Sequence, residues 1–120
     1  MSQTLLVHCT YGKEDAERAI LPFIVGNVAV TADKPATIFL TVEGVRLATK
    51  GYAEGVNKEG FTPLKEIMTS FIANGGKIWC CGACTKPRGI TDADLIEGAK
   101  IVTAANLVEV LASGAVSCTV

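Results

Sequence analysis

The sequence lacks the features that mark membrane-spanning, secreted and nucleic-acid-binding proteins. None of its apolar stretches reaches the roughly 18 residues that a transmembrane helix requires. The opening residues, Met1 to Thr4, have neither the positive charge nor the long apolar run of a signal peptide. The formal net charge is -1 and no basic run is present, which argues against nucleic acid as the main partner. We therefore expect a cytoplasmic protein without membrane or nucleic-acid partners.

The signatures of the common cofactor sites are also missing. No glycine-rich segment fits the dinucleotide-binding fingerprint or the P-loop pattern. A structural zinc site usually needs two cysteine pairs. Here Cys81 and Cys84 form the one pair with that spacing, and His8 or Cys9 would have to complete the ligand set. Zinc stays an alternative for these thiols, but we expect neither a metal nor another cofactor.

The composition is that of a small and rather apolar globular domain. Of the 120 residues, 49% are hydrophobic and 19% are charged. A chain of this length can build its own core, so we expect a single domain over residues 1–120. The apolar content exceeds what one small core readily buries, and this indicates self-association.

Short apolar runs alternate with amphipathic segments along the chain. We predict strands at residues 4–8, 36–40, 78–81 and 115–120, and helices over residues 13–31, 62–74 and 104–112. Residues 99–102 fit either a helix or a strand. Strands separated by helical segments indicate an α/β fold, with about five strands in a mostly parallel sheet and helices on both faces.

Prolines mark two places where the helices are expected to begin or change direction. Pro22 lies inside the first predicted helix and is expected to kink or shorten it. Thr62 and Pro63 resemble a helix start, with a capping hydroxyl followed by proline at the first helical position.

The chain is organised around a cysteine-rich stretch at residues 75–90. The apolar run 78–81 predicts a buried strand that ends in two cysteines, and the loop after it carries Cys84, Lys86 and Arg88. In parallel sheets, ligands collect just outside the carboxyl ends of the strands. We therefore place the candidate site at the end of this strand.

The thiols of Cys81 and Cys84 are the candidate reactive groups. An odd number of cysteines, five, in a reducing compartment argues against structural disulfides and for reactive thiols. The thiolate is the nucleophile, and neighbouring cations favour it. Lys86 and Arg88 supply such cations, although an ion pair with Asp92 or Asp94 is the competing role for Arg88.

The remaining cysteines are expected to be structural. Alternation along the strand should point Cys80 into the core, where a thiol behaves as a small hydrophobic group. Cys9 and Cys118 belong to no motif. A thioredoxin-type dithiol is an alternative for the C-x-x-C pair, but there the motif opens a helix directly. Here Pro87 and Gly89 come before any good helix start.

Two further residues are expected at the same edge of the sheet. His8 is the only histidine and ends the first predicted strand, from which a neighbouring strand would bring it near Cys81 as a base. A histidine satisfied within the core is the alternative. Glu43 follows the second predicted strand and faces this edge, although an exposed acid at a helix start is the ordinary account.

With these residues the chain resembles the DsrE/DsrF family of small sulfur-relay proteins, which includes subunits of tRNA-thiolation sulfur carriers. The resemblance covers nearly the whole length, including the first strand and the acidic helix start. It rests further on the segment Ile38-Phe39-Leu40-x-x-Glu43-Gly44-Val45 and on Cys81 followed by Arg88-Gly89-Ile90. The last of these matches is the most specific.

The resemblance implies a three-layer α/β/α fold and a cysteine that carries sulfur as a persulfide at the position of Cys81. It also implies assembly into oligomers such as trimers and hexamers. This sequence departs from the relay subunits by adding Cys80 and Cys84 around the matching residue, and branches of the family without an assigned activity also carry a C-x-x-C here. The extra thiols leave room for a step from persulfide to disulfide.

The leading hypothesis is a cytoplasmic sulfur-transfer protein in which Cys81 and Cys84 do the chemistry. Arg88, Lys86, His8 and Glu43 would bind the substrate, and the partners would be a sulfur donor or acceptor protein, or a small sulfur species. The rival hypotheses are a non-catalytic oligomeric module that binds a small anion or nucleotide at the same strand ends, and a C-x-x-C thiol-disulfide protein.

Overall fold

The computed structural model describes residues 3–120 as an alternation of strands and helices. The strands of this part of the chain are β1 (Leu5–Cys9), β2 (Ala36–Leu40), β3 (Lys77–Cys81), β4 (Ala99–Val102) and β5 (Val116–Thr119). The α-helices are α1 (Ala16–Thr31), α2 (Leu64–Ala73), α3 (Gly82–Thr85) and α4 (Ala104–Ala112). Short 3₁₀ segments lie at Lys13–Asp15, Val42–Ala48, Ala53–Gly55, Lys86–Arg88 and Asp92–Asp94.

The strands form one parallel sheet in the order β4-β3-β2-β1-β5. From β1 to β4, each strand is followed by its neighbour on the same side of the sheet. Because crossovers between parallel strands are right-handed, the three connections between these strands lie on the same face. The step from β4 back to β5 runs in the opposite direction and carries α4 to the other face. The predicted α/β fold with a five-stranded parallel sheet is confirmed.

The first face, which α1 and α2 cover, holds the main core. Its sheet residues are fully or almost fully buried and come from alternate positions of the central strands: Val7, Cys9, Ile38, Leu40, Ile78 and Cys80. Phe23 of α1 meets Phe71 of α2 edge to face at 6.2 Å between ring centroids. Burial of each large apolar side chain contributes about 1.5–3 kcal/mol, so this face supplies most of the stability.

The second face is covered thinly. Leu6, Phe39 and Val102 form a small buried cluster, against which Leu107 of α4 packs. No residue of α4 is buried, and Val108 is 63% exposed. Part of the apolar content of the sequence therefore lies at the surface, around a sheet face with a single short helix over it.

Most predicted elements are found, with differences at their ends. Residues 99–102, which fitted a helix or a strand, form β4. Helix α1 continues through Pro22 to Thr31, so the proline does not shorten it. The predicted start of the second helix is wrong, because Pro63 is itself the N-cap and no side chain caps α2. Within residues 3–120, no helix combines the length and the apolar character needed to cross a membrane.

Candidate functional site

Cys81 lies where the connections of two neighbouring strands leave to opposite faces of the sheet. It is the last residue of β3 and pairs with Val102 at the end of β4. After β3 the chain packs against the first-face core through Cys84 and Ile90, whereas after β4 it continues into α4 on the second face. Such a topological switch point opens a crevice at the carboxyl ends of the strands, and ligands bind there.

A helical turn begins directly after Cys81. Cys81 is the N-cap of α3, which has four residues and continues into the 3₁₀ segment Lys86–Arg88. The prediction that the C-x-x-C motif does not open a helix directly is therefore wrong. Gly82 allows this tight start, because a Cβ there would lie 3.2 Å from the carbonyl oxygen of Val102.

The two cysteines of the C-x-x-C motif face different surroundings. Cys81 is half-buried and packs against the small cluster on the second face. Cys84 is also half-buried but packs against the first-face core. A Cys81–Cys84 disulfide would link the N-cap of α3 to the third residue of that helix.

The buried cysteines are chemically quiet. Cys80 is 0% exposed, as predicted, and burial raises the pKa of its thiol to about 12, with the neighbouring Cys81 adding to this effect. Burial likewise raises the pKa of Cys9 to about 11. Cys118 is half-buried on the edge strand β5. Because the thiolate is the nucleophile, the two buried thiols are unsuited to react at neutral pH.

Glu43 joins two arginines at the same edge of the sheet. Its Oε1 accepts a hydrogen bond from Nε of Arg88 at 3.0 Å, and its Oε2 accepts one from Nε of Arg46 at 2.8 Å. The hydrogen bond from Arg88 is the main cause that lowers the pKa of Glu43, and the charge of Arg46 adds to it. Arg88 also donates from Nη1 to the carbonyl oxygen of Cys84 at 3.1 Å.

The arrangement changes the roles expected of these residues. Arg88 pairs with Glu43 rather than with the aspartates near Thr91, and Lys86 lies exposed at the start of the segment that follows α3. The sequence reasoning missed Arg46. Its position three residues after Glu43, on one helical face, was the available signal.

The backbone around Glu43 is tightly constrained. Gly44 lies so close to the end of β1 that a Cβ there would come 2.6 Å from the carbonyl oxygen of Cys9. Val42, a β-branched residue, has φ 54, in the left-handed region that such residues rarely adopt. Strain of this kind costs about 1–3 kcal/mol and is found preferentially at functional sites. The two constraints hold Glu43 in one place.

His8 reaches the second face beside β2 rather than beside β3. Its Nε2 is 2.7 Å from the hydroxyl of Thr41, and its ring lies 5.8 Å from the ring of Phe39. The expectation that a neighbouring strand brings His8 to Cys81 is wrong, because β2 lies between their strands. Since Leu40 pairs with Cys80, the next residue, Thr41, stands level with Cys81, between it and the imidazole.

Other features of the described residues lie apart from this edge. Within residues 3–120, no group of three or more His, Cys, Asp or Glu side chains is placed to hold a metal ion. A cavity of about 420 Å³ lies between α2 and residues 47–54, with Leu47, Met68 and Ile96 in its wall. No cysteine lines that cavity.

The surroundings of the thiols predict an order of alkylation. With limiting iodoacetamide at neutral pH, we expect Cys81 and Cys84 to be labelled well before Cys80 and Cys9, because the buried thiols do not ionise. Peptide mapping by mass spectrometry measures this order. Labelling of Cys80 at the rate of Cys81 would contradict the assignment.

His8 predicts a pH dependence of stability. Burial lowers the pKa of His8, so below about pH 6.5 the imidazole of the unfolded chain takes up a proton first. Between that pH and the lower folded pKa, the free energy of unfolding falls as the pH falls. Urea unfolding of the protein and of His8→Gln at pH 7.5 and 5.5, where carboxylates stay ionised, measures the effect. An equal loss in both proteins would exclude His8 as its source.

Three curated relatives, all described as uncharacterized proteins, are similar to this chain. One from Methanocaldococcus jannaschii is 33% identical over 83% of the chain, which spans 36% of that protein's length. One from Methanopyrus kandleri is 34% identical over 82% of the chain and 75% of its own length. A second from M. jannaschii is 34% identical over 87% of the chain and 85% of its own length.

Solved structures with low sequence identity share the fold. The YchN protein of E. coli superimposes with a TM-score of 0.80 at 20% identity, over 100% of both chains. A protein of unknown function from Methanobacterium thermoautotrophicum gives a TM-score of 0.73 at 14% identity, over 99% of this chain and 100% of the other. The chain belongs to the DsrE/DsrF-like family, whose model matches residues 3–116.

Proposed function

We propose that the protein is a cytoplasmic sulfur-transfer protein in which Cys81 carries sulfane sulfur as a persulfide. Membership of the DsrE/DsrF-like family suggests a sulfur-relay type of role. The observation that carries the proposal is the position of Cys81, a half-buried thiol at the switch point of the sheet. Its neighbour Cys80 is withdrawn into the core, which leaves Cys81 as the nucleophile of this strand.

The loading step is a nucleophilic displacement at sulfur. The Cys81 thiolate attacks the outer sulfur of the donor, an S–S bond forms, and the donor's own bond to that sulfur breaks. The electron pair leaves with the remnant of the donor, so no further oxidant is needed. A persulfide is more acidic than a thiol and is therefore mostly anionic at neutral pH.

Unloading has two routes. In a relay, the thiolate of an acceptor attacks the outer sulfur and regenerates the Cys81 thiolate. In the alternative, Cys84 attacks the inner sulfur, a Cys81–Cys84 disulfide forms, and hydrosulfide leaves. In this second route the attacking thiol is that of Cys84, the third residue of the helix that Cys81 caps.

The polar residues around the crevice are assigned supporting roles. Arg88 and Lys86 stabilise the anionic sulfur by charge, and Glu43 fixes the direction of Arg88. His8, whose pKa is lowered by burial, binds the hydroxyl of Thr41 and is assigned no contact with the sulfur. In this scheme Glu43 acts on the substrate only through the arginines.

Incubation with inorganic polysulfide is expected to increase the intact mass of the protein by one sulfur atom on Cys81. Intact mass spectrometry before and after reductant, followed by peptide mapping, measures the adduct. Cys81→Ser should abolish it, whereas Cys118→Ser, a matched variant of a half-buried thiol outside the site, should retain it. If Cys81→Ser instead gained sulfur on Cys84, in the same yield as the unaltered protein, Cys81 would not be the carrier.

We further propose that the chain assembles as a homo-oligomer, a trimer or a hexamer. The support is the thin cover of the second face and the exposed Val108, Leu111, Val116 and Val120 near it. Stable homo-oligomers bury apolar patches of this kind. Light scattering after size exclusion should give a multiple of the 12.5 kDa chain mass at micromolar concentration. A mass near that of one chain would refute the assembly.

A further inference from the structure

Two arginines fixed on a single carboxylate stand at the carboxyl edge of the sheet, beside the cysteine turn. Arg46 and Arg88, here called the arginine pair, each donate Nε to one oxygen of Glu43. Two guanidinium groups and one carboxylate carry a net charge of +1 by these contacts. The transfer of sulfur by Cys81 does not by itself account for the second arginine.

The arginine pair keeps most of its hydrogen-bond donors for a ligand. A guanidinium has five N–H groups in a rigid plane. Among the contacts of residues 3–120, Arg46 donates only its Nε–H, to Glu43. Arg88 donates its Nε–H to Glu43 and one Nη1–H to the carbonyl oxygen of Cys84. Both side chains are accessible but not fully hydrated, at 39% and 24% exposure.

The position of the arginine pair relates it to Cys81. Arg88 donates a hydrogen bond to the carbonyl oxygen of Cys84, which lies in the helical turn that Cys81 caps. Cys84 follows Cys81 by three residues in the same helical turn, so Arg88 is tied to the turn that carries the thiol. The close approach of Gly44 to β1 holds Glu43 in place. Through its two carboxylate oxygens, Glu43 in turn fixes the guanidinium groups of Arg46 and Arg88.

We propose that the arginine pair binds the oxygen atoms of a sulfur oxyanion of the thiosulfate type and presents its outer sulfur to Cys81. This inference rests on the proposed function and names its small-molecule substrate. Guanidinium groups match oxyanions with paired N–H donors, which a lysine cannot supply. The net positive charge of the arginine pair attracts the thiosulfate dianion. Because the site is partly desolvated, this attraction is stronger than it would be in water.

The transfer balances without another reactant. The Cys81 thiolate attacks the outer sulfur of thiosulfate, and the new S–S bond is that of the persulfide. The S–S bond of thiosulfate breaks, and its electron pair leaves with sulfite. The total charge is equal on the two sides, and the arginine pair stays bound to the departing sulfite oxygens.

The first experiment measures binding separately from sulfur transfer. The chain has three arginines, Arg18, Arg46 and Arg88, so its arginine Nε–H region in an ¹⁵N NMR spectrum is simple to assign. In Cys81→Ser, which cannot accept sulfur, titration with thiosulfate should shift the signals of Arg46 and Arg88 saturably. The signal of Arg18, which lies on α1 and pairs with Asp15, should not shift with them. Equal small shifts of all three signals, or none, would overturn the site.

The second experiment measures donor preference. In Arg46→Gln, the rate of Cys81 persulfide formation from thiosulfate relative to that from inorganic polysulfide should fall about tenfold, as expected for one lost charge-assisted hydrogen bond. Arg18→Gln is the matched control and should keep the ratio. An unchanged ratio in Arg46→Gln, or equal slowing with both donors, would overturn oxyanion recognition.

The two inferences fail in different ways. If neither donor loads Cys81 in the unaltered protein, the carrier role of Cys81 is refuted, while the NMR titration still decides whether the arginine pair binds the anion. If polysulfide loads Cys81 and thiosulfate neither binds nor reacts, the carrier role stands and the oxyanion site is refuted.

Discussion

The handedness of the crossovers determines where the chemistry of this fold lies. Right-handed connections place everything between β1 and β4 on the first face and send α4 to the second. The connections that follow β3 and β4 therefore leave to opposite faces of the sheet, and Cys81 is the last residue of β3. The same constraint leaves one nine-residue helix to cover the second face, which keeps the thiol partly open to solvent.

Alternation along β3 separates two adjacent thiols into different roles. Cys80 points into the first-face core and is 0% exposed, with its pKa raised to about 12 by burial. Cys81, one residue later, belongs to the second face because successive side chains of a strand point to opposite sides. A shift of the register by one residue would exchange a core thiol for a reactive one, so the packing of β3 between its two neighbours also specifies the site.

The sequence predicted what depends on local pattern and missed what depends on strand order. Apolar runs identified four of the five strands of residues 3–120, whereas residues 99–102 fitted either a helix or a strand, and alternation placed Cys80 in the core. His8 was expected on a strand next to β3. The order of parallel strands cannot be deduced from the sequence of any single strand, and in the structure β2 lies between β1, which carries His8, and β3. The helical turn after Cys81 was missed because Pro87 and Gly89 suggested a break, whereas α3 needs only the four residues before them.

The polar part of the site depends on the connection after β2 more than on the strand that carries the thiol. Val42 adopts a left-handed conformation that is costly for a β-branched side chain, and Gly44 is pressed against the end of β1. Neither feature is needed to continue the sheet. Together they hold the Glu43 carboxylate between Arg46 and Arg88, 45 residues away from the latter in sequence. The strained connection after β2 thus fixes two cations at the carboxyl edge of the sheet, where the thiol at the end of β3 also lies.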